Sequence, residues 1–129
     1  IAASYSVNLG RTNAGVGAGY DRRTFIAAPG TILAPANGVQ DENYWVAFYL
    51  DGQLGNRANF SVNTYANWLA SGFSNSGDVL AVGASAAYRR QLLAGLSARA
   101  ALALDHLDSS QADQDVTAAS ALLGLRYDF

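Results

Sequence analysis

Residues 119–129 read Ala-Ser-Ala-Leu-Leu-Gly-Leu-Arg-Tyr-Asp-Phe, and this stretch decides the fold. Ala119, Ala121, Leu123, Leu125, Tyr127 and Phe129 occupy alternate positions; all are apolar, and the aromatic ones come last. Between them stand Ser120, Gly124, Arg126 and Asp128, small or polar, with Leu122 the exception. Successive side chains of a strand point to opposite faces, so this period of two predicts a β-strand with two unlike faces.

The same alternation recurs upstream. Residues 3–10 set Tyr5, Val7 and Leu9 against Ser4, Ser6 and Asn8, and residues 15–25 set Val16, Ala18 and Tyr20 against Gly15, Gly17, Gly19, Asp21 and Arg23. Residues 42–51 set Tyr44, Val46, Phe48 and Leu50 against Asn43, Trp45, Ala47, Tyr49 and Asp51. The clearest case is 57–71, with Phe60, Val62, Thr64, Ala66 and Trp68 against Asn59, Ser61, Asn63, Tyr65 and Asn67. Residues 78–90 and 96–107 complete the set, and seven strands are predicted. Turns are expected at 11–14, 52–56 and 91–95, and longer loops at 26–41, 72–77 and 108–114. The first of these loops holds both prolines and Asn37-Gly38, with room for a short hairpin at 31–34. Residues 79–87 and 96–107 are Ala-rich and have good helix propensity. Their apolar and polar residues separate at period two and not at 3.6, which favours strands.

Composition points the same way. The chain has 129 residues, enough for one domain, and half of them are hydrophobic. No apolar run approaches the ~20 residues of a membrane helix. Charged residues are 14%, against ~25% in soluble domains. That combination suits strands that turn one apolar face to lipid. All eight basic residues are Arg, and the net charge of −2 gives no reason to expect a nucleic-acid partner. With no Cys there is no disulfide or thiol chemistry. The chain begins on Ile1 and contains no Met, so a processed precursor or a piece of a longer chain is expected.

Phe129, the aromatic Tyr127 two residues before it, and Leu125, Leu123 and Ala121 at the alternate positions resemble the C-terminal strand of Gram-negative outer-membrane β-barrel proteins. The resemblance implies an all-β, antiparallel, up-and-down transmembrane β-barrel in the bacterial outer membrane. It makes these five residues the assembly signal read by the barrel-assembly machinery. Outer-membrane lipid and lipopolysaccharide become the expected surroundings, with other outer-membrane subunits as further candidates. If the last strand runs towards the periplasm, antiparallel pairing fixes the direction of the others. Tyr5, Tyr20, Tyr44 and Trp68 then sort to the outer end, and Phe48, Phe60, Tyr88, Tyr127 and Phe129 to the inner end, as two girdles. The short turns fall on the periplasmic side. A closed bacterial barrel has an even strand number, so seven strands imply the C-terminal portion of a larger barrel. A complete eight-stranded barrel is the alternative, if residues 26–41 supply a strand. The soluble rival is a β-sandwich or a lipocalin-like barrel, which also alternates.

Candidate chemistry is sparse. His106 is the only histidine; its neighbour Asp105 points to the opposite strand face, so the two cannot act as a base and its orienting partner. Asp105, Asp108, Asp113 and Asp115 surround the last loop without the calcium-loop spacing. Gly15, Gly17 and Gly19 lack the following helix and Lys of a phosphate-binding loop. No cofactor and no enzyme activity are expected. Asn59, Ser61, Asn63, Tyr65, Asn67, Arg89, Arg99, Asp105 and Arg126 are the expected lumen-lining residues. The expected function is a porin-like passive channel for small polar solutes. Autotransporter translocators and structural or adhesive barrels with filled lumens are the rivals, with a lipid-modifying enzyme last.

Overall fold

The computed structural model describes residues 1–32, 34–73, 77–110 and 115–129. Leu33, residues 74–76 within the expected 72–77 loop, and residues 111–114 with Asp113 lie outside them. The fold is all-β. Seven strands, β1 (Ala2–Asn8), β2 (Thr12–Thr24), β3 (Gln40–Gln53), β4 (Ala58–Ala70), β5 (Val79–Leu93), β6 (Leu96–Ser109) and β7 (Val116–Tyr127), form one up-and-down antiparallel sheet in chain order. Each strand pairs with its sequence neighbour, and β1 and β7 pair on one side only. The sheet is open, and its two edge strands run parallel to each other.

The strand register carries the sequence pattern across the whole sheet. Tyr5, Val16, Phe48, Thr64, Ala84, Leu104 and Ala119 lie in one row, each directly opposite the next. So do Val7, Ala14, Leu50, Val62, Ala86, Leu102 and Ala121. These rows make one continuous apolar face. The opposite face carries Ser6, Gly15, Tyr49, Asn63, Ser85, Ala103 and Ser120 in one row. A one-residue slip at any pair would exchange the two faces, so register and hydrophobic pattern specify each other.

Among the described residues no second layer covers either face. Ala58 is the only buried hydrophobic residue among those described, while Leu123 (86% exposed) and Leu125 (74%) stand open. The chain exposes 9302 Å², against roughly 6,500 Å² for a compact soluble monomer of this mass.

The aromatic residues of the apolar face form two bands. Tyr20, Tyr44 and Trp68 stack in one row near the long connections, with ring centroids 4.8 and 5.6 Å apart. Glu42 accepts a hydrogen bond from each tyrosine hydroxyl, both at 3.0 Å. Phe60 faces Tyr88 near the short turns, and Tyr127 meets Phe129 edge-on at 5.0 Å. Tyr5 and Phe48 sort to neither band, because Val16 links them in a single middle row.

The short turns are tighter than the sequence suggests. Thr12, Asn13 and Ala14, expected in a turn, belong to β2, because the Leu9 amide donates to the Thr12 carbonyl at 2.7 Å. β5 runs on to Leu93 through a register shift between Gln91 and Leu93, leaving residues 94–95 as the turn. Gly10, Gly55 and Gly95, one in each short connection, have φ of 83, 76 and 77°. This left-handed region is open to Gly at little cost. Between β2 and β3, Phe25 bonds Val39 and Gly38, and the segment contains a 3-10 turn at Ala34–Ala36. No hairpin occurs at its described residues and no strand crosses there, so the eight-stranded alternative is not seen among the described residues. The two prolines, Pro29 and Pro35, lack the amide a strand would donate.

Gly95 carries a second constraint. A Cβ there would sit 2.7 Å from the Asp128 carbonyl oxygen, beside the 2.7 Å bond from the Asp128 amide to Gly95. Gly95→Ala is expected to destabilise the protein by about 1–2 kcal/mol from backbone strain, with the contact adding to it. Gly124→Ala, where a Cβ meets nothing within 4 Å, is expected to be close to neutral. Midpoints of chemical denaturation for the two variants check this.

Candidate functional site

The polar face is built around β4. Alternation places Asn59, Ser61, Asn63, Tyr65 and Asn67 along one side of this central strand, as expected from the sequence. Their cross-strand neighbours are Gln53, Asp51, Tyr49, Ala47 and Trp45 on β3, and Arg89, Ala87, Ser85, Gly83 and Ala81 on β5. The Asn67 Oδ1 atom is buried and accepts no hydrogen bond within the described residues.

Three aromatic residues of this face lie over glycines. A Cβ on Gly15 or Gly19 would strike the ring of Tyr49 or Trp45, their cross-strand partners. A Cβ on Gly83 would strike the Tyr65 ring. The bare backbone at Gly83 lets Tyr65 reach across β5 to β6, where its hydroxyl donates to Asp105 Oδ1 at 2.8 Å. An aromatic ring over a strand glycine restores the packing that the glycine lacks. The sequence shows the glycines, but only the register shows which ring each receives.

Most arginines of the polar face gather at one end, where Asp51 and Asp128 also stand, while Arg23 pairs with Asp41 at the other. The end bearing the short turns carries Arg57, Arg89, Arg99 and Arg126. Arg89 lies directly opposite Arg99, and Arg99 directly opposite Gly124. Arg57 lies beside Gln91, whose amide donates to its carbonyl at 2.7 Å. Arg126 pairs with Asp128 at 2.8 Å. Among the described residues Arg57, Arg89 and Arg99 form no ion pair and no side-chain hydrogen bond. A concavity of about 440 Å³ lies between Asn59, Ser61, Arg89, Arg99 and Arg126. A second of about 360 Å³ adjoins it beside Arg57. The register sets Arg89 against another arginine, which the spacing within either strand does not show.

At the opposite end Asp41 is 7% exposed. It takes a 3.4 Å contact from Arg23, a hydrogen bond from Ser71 Oγ at 3.4 Å and one from the Gly72 amide at 3.1 Å. This clamp ties β2, β3 and the end of β4 together. Nothing local in the sequence announces it, because its partners lie 18 to 31 residues away. Asp105 and His106 sit on opposite faces: Asp105 holds Tyr65, and His106 Nδ1 is 2.8 Å from Thr117 Oγ1. The described residues contain no group of three or more His, Cys, Asp or Glu side chains able to hold a metal.

Ala121, Leu123, Leu125 and Tyr127 line the apolar face of edge strand β7, and Phe129 follows just beyond its end. Every residue of β7 is exposed. No family model, curated protein or solved structure matches the chain.

The Tyr65–Asp105 bridge has a direct test. Tyr65→Phe and Asp105→Asn are each expected to lower stability modestly, and the double variant by less than their sum. Gly83→Leu is expected to cost more than either, because it displaces the ring itself. Denaturation midpoints of the three variants and the double-mutant cycle check this.

Proposed function

We propose that this sheet is part of the wall of an outer-membrane β-barrel, with its apolar face against lipid and its polar face lining a lumen. The observation that carries the reading is a continuous apolar face with no covering layer among the described residues. In water such a face would be an association hazard; against lipid it needs no cover. Strand length supports the reading. The 13 residues of β4 extend about 43 Å at ~3.3 Å per residue. Tilted by ~40°, they span about 33 Å, enough for the ~25 Å apolar band of such barrels. The aromatic bands then lie at the two membrane interfaces, the outer one facing lipopolysaccharide.

The parallel relation of β1 and β7 also supports a larger barrel. An antiparallel ring closes only if an odd number of further strands joins these edges. The seven strands are then one portion of it, and β7 with its Tyr127 and the Phe129 that follows is what the assembly machinery engages.

Within that barrel the function is passive passage of small polar solutes, in the manner of a porin. The Asn- and Ser-lined face of β4 and the concavities beside the arginines favour a wet lumen. Trp45, Tyr49 and Tyr65 lying flat over their glycines favour the second reading, a structural barrel with a filled interior. Planar-bilayer recording of the full-length protein separates them: stepwise conductance is expected, and none from the folded, inserted protein would sink the channel.

Membrane placement has its own test in two adjacent residues. Ala84 lies on the apolar face and Ser85 on the polar face. Ala84→Arg is expected to destabilise the protein in lipid by about 2–4 kcal/mol. Ser85→Arg is expected to cost far less. Equal costs, measured by unfolding from vesicles, would contradict a lipid-facing surface at Ala84.

A further inference from the structure

The geometry points to a binding site for a small dissolved oxyanion, of the phosphate or carboxylate class, among Arg89, Arg99 and Arg126. The assignment rests on the reading of the polar face as a water-filled wall and names what that wall selects.

Three observations converge. First, Arg89 and Arg99 are directly opposed across β5 and β6. Like charges in register are destabilising, and neither has an acidic partner among the described residues. An anion seated between them would offset that repulsion. Second, the space beside Arg99 is empty: its partner on β7 is Gly124, and a Cβ there would meet nothing within 4 Å. Arg126, two residues further along β7, borders the same gap. Third, the resulting concavity of about 440 Å³ also presents Asn59 and Ser61, neutral groups able to hydrogen-bond an oxyanion.

The residue type fits the ligand. Guanidinium groups are planar and always charged, and they present paired donors that match two oxygens of a phosphate or carboxylate. Asp128 is the one carboxylate nearby: it pairs with Arg126 and lines the adjoining concavity with Arg57 and Arg89, but not the 440 Å³ one itself. The other carboxylates of this face, Asp21, Asp41, Asp51 and Asp105, oppose neither Arg89 nor Arg99 in the register. Clustered arginines lining a pore are the physical basis of anion preference.

The test is calorimetric titration of the full-length protein with inorganic phosphate. The protein is held in a maltoside detergent, so that no lipid phosphate competes. Saturable binding is expected. R89Q and R99Q should each weaken it at least about tenfold, the loss of one charge-assisted contact. Arg99→Lys, which keeps the charge but loses the paired donors, should fall between the unaltered protein and R99Q, and R22Q, on the other face, should leave the affinity unchanged. Circular dichroism confirms that each variant is folded. Absence of phosphate binding by the unaltered protein, or equal binding by folded R99Q, overturns the site. A folded variant set that follows charge only in bulk, with R22Q as weak as R99Q, overturns it too. The channel reading fails on a different result, the absence of conductance, which leaves the phosphate titration fully interpretable.

Discussion

The interstrand hydrogen-bond ladder is the constraint on which everything else in this protein depends. Most folded domains of this length hold their strands in place by burying one sheet face against another layer. Among the described residues there is no second layer, and Ala58 alone is a buried hydrophobic residue. The six antiparallel pairings must therefore carry the order of the sheet. Backbone amides and carbonyls are costly to leave unpaired away from water. A lipid setting raises that cost, because nothing in the hydrocarbon replaces the missing partner. The open edges of β1 and β7 are the places where this logic is incomplete within the chain.

Side chains reinforce the ladder in two different ways on the two faces. On the apolar face, rings stack along a row, as Tyr20, Tyr44 and Trp68 do, with Glu42 bonded to both hydroxyls. On the polar face, rings lie across the sheet on bare glycines, and Tyr65 links β4 to β6 over Gly83. The glycines are thus part of the packing. At one end of the same face Arg126 pairs with Asp128 but Arg89 and Arg99 have no acidic partner among the described residues, while Asp41 is fully engaged at the other. A sheet face with one anchored end and two unpaired arginines near the other is asymmetric along the strand axis.

The seven strands and the division of their residues between two faces were legible because the side-chain period of a strand is a local property. Asn59 to Asn67 could be assigned to one face from spacing alone. The strand ends were less legible. Thr12 and Asn13 are common turn residues, yet a tight turn at Gly10 leaves them free to pair. Leu92 and Leu93 extend β5 because the bulge near Gln91 lets the strand continue. Nor did aromatic positions sort fully: Tyr5 and Phe48 looked like members of different bands until the register put them in one row.

By itself the sequence determined that this is an antiparallel β protein with one apolar and one polar face, since alternation, turn glycines and low charge are all properties of neighbouring residues. Only the tertiary structure decided which ring covers which glycine, that Arg89 faces Arg99, and that Asp41 gathers Arg23, Ser71 and Gly72. Those facts depend on register between strands, and register is set by all the pairings together. The openness of the sheet is likewise a tertiary fact. Strand parity makes β1 and β7 parallel, and an antiparallel ladder cannot join two edges that run the same way.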